Sequence, residues 1–239
     1  MSKKSADQSK AERAAAVRRE QEQRERRRQI LSISAVVAVL AAIVVGGFLI
    51  QSQRDSTGEV ASTVPSGVEG YGIPVGDPNA ETTVTIYEDL QCPACAALEA
   101  QMGEDIATAV EAGKINVDYR MVSFLDGAST NDYSSRALNA ALVVLDTAGV
   151  EAFEEFHGLL FANQPAEGGP GHTDDQLIEY AVEAGAAEAE IRGPIEEKVY
   201  DQWIRNATDQ MSKDGVGGTP TLRVGDEDID VAELAELLE

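Results

Sequence analysis

Residues 82–95 read Thr82-Thr-Val-Thr-Ile-Tyr-Glu-Asp-Leu-Gln-Cys-Pro-Ala-Cys95, and this stretch decides the fold. The β-branched run Thr82–Tyr87 predicts a buried strand. A helix is expected from about Cys95 to Ala112. Cys92 and Cys95, the only two cysteines in the chain, fall at the junction. A helix start presents unpaired N–H groups and partial positive charge, which favour thiolate over thiol. Pro93 suits the first helical turn, where its missing N–H costs nothing. The spacing predicts an exposed, reactive sulfur on Cys92 and an inward, protected one on Cys95. The same C-x-x-C spacing also serves as half of a zinc site, so the rest of the chain has to decide.

The 239 residues carry 42 Asp and Glu against 19 Lys and Arg, divided unevenly. Residues 1–29 hold ten basic and five acidic side chains, a net of +5. Residues 51–239 hold nine basic and 37 acidic ones, a net of −28. Ile30 to Ile50 contains no charge, and at 1.5 Å per residue it spans about 31 Å, enough for a hydrocarbon core. It exceeds a signal-peptide apolar region, and Gln51-Ser-Gln-Arg54 offers no small-x-small cleavage site. The expectation is a single transmembrane helix at 30–50 behind a charged cytoplasmic tail at 1–29. Arg26, Arg27 and Arg28 place the N-terminus inside, and so the acidic part outside. A flexible tether is expected at 51–70, and a globular domain at 71–239. An extracytoplasmic location tolerates disulfides. The negative charge of this part weighs against nucleic-acid binding.

Within the domain, Ile115–Val122 alternates as a second strand. Helices are expected at Ser135–Leu145, around Phe153, Phe156, Leu160 and Phe161, from Asp174 or Asp175 to about Ala184, and at Pro194–Lys213. Thr221–Val224 reads as a short strand, Gly225-Asp226 as a turn, and Val231–Leu238 as a closing helix. This order predicts an α/β sheet with helices inserted at about 129–190. Glu88 and Asp89 read as a solvated turn in the loop before Cys92, where they would raise its pKa if they approached it. His157 reads as packing in an aromatic face, and His172 as exposed in a Gly/Pro loop. Asn206-Ala-Thr208 fits a glycosylation acceptor but is discounted because it falls mid-helix. Pro220 opens the late strand, where proline removes a ladder donor. On the local residues alone, a trans bond in an ordinary loop is the simpler reading.

Three motifs in order, Tyr87-Glu-Asp-Leu-Gln-Cys-Pro-Ala-Cys95, Phe153-Glu-Glu-Phe-His-Gly-Leu-Leu-Phe-Ala-Asn-Gln164 and Gly215-Val-Gly-Gly-Thr-Pro-Thr-Leu222, resemble the DsbA-like branch of the thioredoxin superfamily. The resemblance is to its membrane-anchored bacterial thiol–disulfide oxidoreductases, and it covers about 71–239. It implies a thioredoxin fold with an inserted helical subdomain. It also implies a cis Thr219–Pro220 bond beside the thiols, where Thr219 and Pro220 bind substrate peptide by strand addition. In the implied chemistry Cys92 is the nucleophile, Cys95 the resolving thiol, and Pro93 and Ala94 tune the potential. No cofactor and no metal is expected. The implied partners are exported proteins with reduced cysteines and a membrane oxidase that restores the disulfide.

Two departures bear on direction. Strongly oxidising members have histidine where this chain has Ala94, which predicts a less oxidising pair. Many thioredoxin-fold enzymes carry an acid six positions before the first cysteine, where this chain has Ile86. An isomerase or reductase therefore stays open as an alternative. So does a copper-delivery factor using the same thiolates, since soft ligands select Cu(I).

Overall fold

The structure, a computed structural model, describes residues 59–238. The expected tail at 1–29 and apolar span at 30–50 lie outside the described residues. Among the described residues no helix is long and apolar enough to cross a membrane.

Five strands form one sheet: β1 (Ile73–Val75), β2 (Thr82–Glu88), β3 (Ile115–Met121), β4 (Thr221–Val224) and β5 (Glu227–Ile229), in the order β1-β3-β2-β4-β5. The central β2 runs parallel to β3, pairing Val84 with Val117. It runs antiparallel to β4, pairing Ile86 with Leu222. The two outer strands, β1 and β5, are antiparallel to their neighbours. Neither outer strand has a clear sequence signal. Each has three residues, β1 carries Pro74, which an edge strand tolerates, and β5 is mostly acidic.

After β2 comes helix α1 (Pro93–Glu111). Its buried positions Cys95, Leu98, Met102, Ile106 and Ala109 repeat every three or four residues, which is the stripe of a helix lying on a core. Between β3 and β4 run a 3-10 turn (Asp126–Ala128) and five helices: α2 (Tyr133–Ala148), α3 (Val150–Ala162), α4 (Asp174–Glu183), α5 (Glu188–Glu197) and α6 (Asp201–Lys213). Helix α7 (Val231–Leu238) closes the chain. The inserted helices share the core of the sheet. Phe153, Phe156, Leu160 and Phe161 are buried as expected, and Trp203 packs on Tyr71 with ring centroids 5.5 Å apart.

The single helix expected over Pro194–Lys213 is two helices. The first helix runs through Pro194 and ends where Lys198 turns left-handed at φ 53°, with the Lys198 and Val199 N–H groups folding back on the Ile195 and Pro194 carbonyls. Buried Asn139 of α2 makes the break stable. Its Nδ2 donates to the Pro194 and Ile195 carbonyls, and its Oδ1 accepts the Tyr200 N–H at 3.0 Å. The start of α4 is set by a capping box between Thr173 and Gln176, one residue before the expected acids. The tether expected to run to residue 70 docks earlier. The Ser66 N–H donates to Asp146 at 2.9 Å, Asn206 donates to the Glu59 carbonyl, and Val68 packs on the core.

Candidate functional site

Strand β2 delivers the chain to the N-terminus of α1, with Cys92 as the cap residue and Pro93 in the first turn. The Cys92 N–H donates to the Asp89 carbonyl at 2.9 Å, and the Ala96 N–H to the Cys92 carbonyl at 3.1 Å. These bonds hold the first sulfur at the helix end, with both cysteines as free thiols. Thr219–Pro220 is cis, and the Cys92 thiol donates to the Thr219 carbonyl at 3.3 Å. Sequence positions 92 and 219 therefore meet. The carbonyl expected to be open for substrate pairing faces the sulfur in this state.

The loop carrying Thr219 is held at both ends. The Tyr87 hydroxyl of β2 donates to Asp214 at 2.9 Å, Arg223 donates to the Asp214 carbonyl, and the Thr221 hydroxyl donates to the Gly218 carbonyl. Pro93 and Ala94 are exposed beside it. A shallow groove lined by Ala94, Leu98, Pro220, Leu222 and Ile229 runs away from the thiols.

The expectation of an exposed Cys92 is corrected: the residue is only 7 % exposed, and Cys95 is 0 % exposed. The thiols nevertheless differ sharply. A hydrogen bond from the Cys95 thiol, helped by the Thr219 side chain and the backbone N–H groups of Cys95 and Ala94, pulls Cys92 down to about 5. Burial opposes this and loses. The same bond with Cys92, then burial and the negative field of Glu88, push Cys95 far above an ordinary thiol. Donors converge on one sulfur, as expected at a helix start.

Glu88 and Asp89 correct a second expectation, because neither is solvated. The strand continues through Glu88, which lies on the same face as Ile86 two residues earlier and is fully buried. Its Oε2 lies 2.9 Å from Nε2 of buried His157 on α3. Burial pushes Glu88 up to about 8. It also pushes Glu99 of α1, which faces the Glu88 charge, up to about 7. Burial lowers His157. His157 does pack among aromatic rings, lying 4.8 Å from both Tyr119 and Phe161, and it is also a polar partner of β2.

Asp89, fully buried, accepts from the Gln91 N–H at 2.8 Å, the Leu125 N–H at 2.8 Å and the Ser134 hydroxyl at 2.6 Å. One carboxylate thus ties the loop before Cys92 to the inserted helices. Two glutamines add to the tie. Gln164 Nε2 donates to the carbonyls of Leu90 and Cys92 at 3.1 and 3.0 Å, and Gln91 donates to the Gly169 carbonyl at 3.3 Å. Gln164 ends the second motif, which is the only sequence signal for its role. Glu99 had none. His172 is partly buried, between Tyr133 and Tyr180, and bonds to the Asn163 carbonyl.

A family model described as Thioredoxin matches residues 69–239. Among solved structures, the reduced disulfide bond oxidoreductase DsbG of Mycobacterium tuberculosis aligns with a TM-score of 0.63 at 32% identity, covering 72% of this chain and 88% of that one. Reduced DsbA from the same organism aligns at 0.60 and 33% identity, covering 70% and 91%. Among curated proteins, the serine/threonine-protein kinase PknE of M. tuberculosis is 29% identical over 167 residues, 67% of this chain. The match spans only 30% of the kinase's own length. The family model covers most of the chain and the fold aligns with these oxidoreductases at above 30% identity, so the chain belongs to the DsbA-like thiol–disulfide oxidoreductases of the thioredoxin superfamily.

Proposed function

We propose that this chain is a membrane-tethered extracytoplasmic enzyme that introduces disulfides into exported proteins through Cys92 and Cys95. The observation that carries the reading is the split between the two sulfurs. Donors from Cys95 and the helix start lower Cys92 to about 5 and favour its thiolate, while the bond with Cys92 and burial raise Cys95 and keep it a thiol. The contact of Cys92 with the Thr219 carbonyl belongs to the protonated sulfur. Starting from the Cys92–Cys95 disulfide, a substrate thiolate attacks Cys92 Sγ. The S–S bond breaks, and Cys95 leaves with the electron pair and takes up a proton. A second substrate thiolate then attacks the substrate sulfur of the mixed disulfide. Cys92 leaves as thiolate, so the substrate is oxidised by two electrons and the enzyme is reduced. A low Cys92 pKa favours it as the leaving group and poises the pair toward oxidation.

Extended substrate peptide fits the groove beside Pro220 and Leu222. Main-chain pairing at Thr219 requires its carbonyl to exchange the Cys92 thiol for a substrate N–H. The tether rests on the uncharged stretch Ile30–Ile50 and the arginines before it. A membrane oxidase is the proposed acceptor of the electrons. In Cys95→Ala the Cys92 thiolate attacks disulfides of exported proteins, releasing one substrate sulfur as thiolate. With no Cys95 thiol to displace the bound sulfur, these mixed disulfides are expected to accumulate. They are read as reducible adducts on non-reducing gels. Absence of adducts with Cys95→Ala, while Cys92 still reacts with iodoacetamide, would overturn the exchange mechanism.

A further inference from the structure

A second constellation lies away from the sulfur–Thr219 face. Helices α1 and α3 leave a groove of about 360 Å³ between them, walled by Ala100, Gly103, Ala107 and Gly158, with Glu99 and His157 on its lining. One ligand atom each from Glu88, Glu99 and His157 lies within 4.8 Å of the other two. Glu88 is fully buried, and His157 is only 4 % exposed. The Oε1 atoms of Glu88 and Glu99 are both buried with no donor from the rest of the protein, so the two carboxyls bond to each other only when one holds a proton, while the other oxygen of Glu88 is taken by His157. The charged groups that act on the cluster are its own members, Glu154 on the same groove and Cys92. Two buried carboxylates side by side are costly unless a positive charge or a proton sits between them.

The geometry points to a divalent-cation site formed by Glu88, Glu99 and His157, reached through the α1–α3 groove, using neither thiol as a ligand but lying within their field. We assign it to a borderline ion of the zinc class. One imidazole and two carboxylates are ligands that Zn²⁺ accepts, with solvent from the groove filling a fourth position. Ligand atoms around a tetrahedral Zn²⁺ at about 2.1 Å stand ~3.4 Å apart. Ion binding would require the ligand atoms, now within 4.8 Å of one another, to draw together, and Glu99 is the partly exposed member. The cation would bridge strand β2, helix α1 and helix α3, and so brace the segment that carries Cys92 against the insertion. This assignment stands whether or not the chain oxidises exported proteins.

The test is calorimetric titration of Zn²⁺ into chelator-stripped full chain carrying Cys92→Ser and Cys95→Ser, so that thiolates cannot supply the site. One ion per chain is expected. Glu99→Gln in the same background is expected to weaken binding by at least about tenfold. Glu88→Gln should do the same, with circular dichroism and thermal unfolding confirming that it folds. Because Glu99 is partly exposed, its variant keeps the test valid should Glu88→Gln fail to fold. The proposal is overturned if the double-serine protein binds no Zn²⁺, in which case the carboxyls hold protons instead. It is equally overturned if Glu99→Gln binds unchanged.

Discussion

Titration of the reduced chain is expected to give a Cys92 thiolate with a midpoint at about 5, against an ordinary thiol at 9.0. The ultraviolet absorbance of the thiolate and the rate of alkylation by iodoacetamide should share this midpoint, with Cys95 silent throughout. The sign follows from a depressed native pKa. Ionisation stabilises the reduced native protein in full above the unfolded value of 9.0, and this contribution is lost as pH falls through about 5. The oxidised protein has no thiolate and gains nothing. At about pH 7 the ionised form exceeds the protonated one by roughly a hundredfold, which raises the reduction potential by ~60 mV relative to an unperturbed thiol. Cys95→Ala removes the strongest donor to the Cys92 sulfur, so its midpoint should move upward. A wild-type midpoint near 9.0 would contradict the converging donors.

The largest expected effect on stability comes from Asp89→Ala. The carboxylate is fully buried and accepts three hydrogen bonds, from Gln91, Leu125 and Ser134. Truncation strands two buried donors and a partly buried one, and leaves a void. Each stranded donor costs about 1–3 kcal/mol, so a loss of about 3–5 kcal/mol is expected after partial relaxation. Urea unfolding of the oxidised protein measures it. Asp89→Asn keeps an acceptor oxygen and should lose less. A loss below about 1 kcal/mol for Asp89→Ala would show that the loop before Cys92 is held by the glutamine contacts instead.

The contrast between these two residues shows what a sequence can display. The strand into Cys92, the helix after it and the Cys95 stripe were legible because period and spacing are local properties. The aromatic face of α3 was legible for the same reason. Asp89 and Glu88 were misread because an acid before a C-x-x-C pair looks like a turn when its partners are unseen. Those partners, Ser134, Leu125 and His157, lie 36 to 69 residues away. Glu88 lies on the face of β2 that also carries Ile86, so burial was available to it. Only the packing of α1 and α3 against that face makes the burial real. The break between α5 and α6 depended in the same way on Asn139, whose amide makes the freed backbone groups tolerable. Thr219 was placed beside Cys92 by family resemblance alone, because nothing local in Gly218-Thr-Pro-Thr221 indicates a sulfur.

The direction of electron flow is the central claim, and Ala94 makes it the most exposed one. Equilibration of the full chain with defined ratios of reduced and oxidised glutathione, followed by alkylation and mass measurement of Cys92 and Cys95, gives the reduction potential of the pair directly. An oxidising value, above about −200 mV, is predicted from the stabilised Cys92 thiolate. A value near about −270 mV, that of thioredoxin, would contradict the oxidase reading and make the chain a reductase.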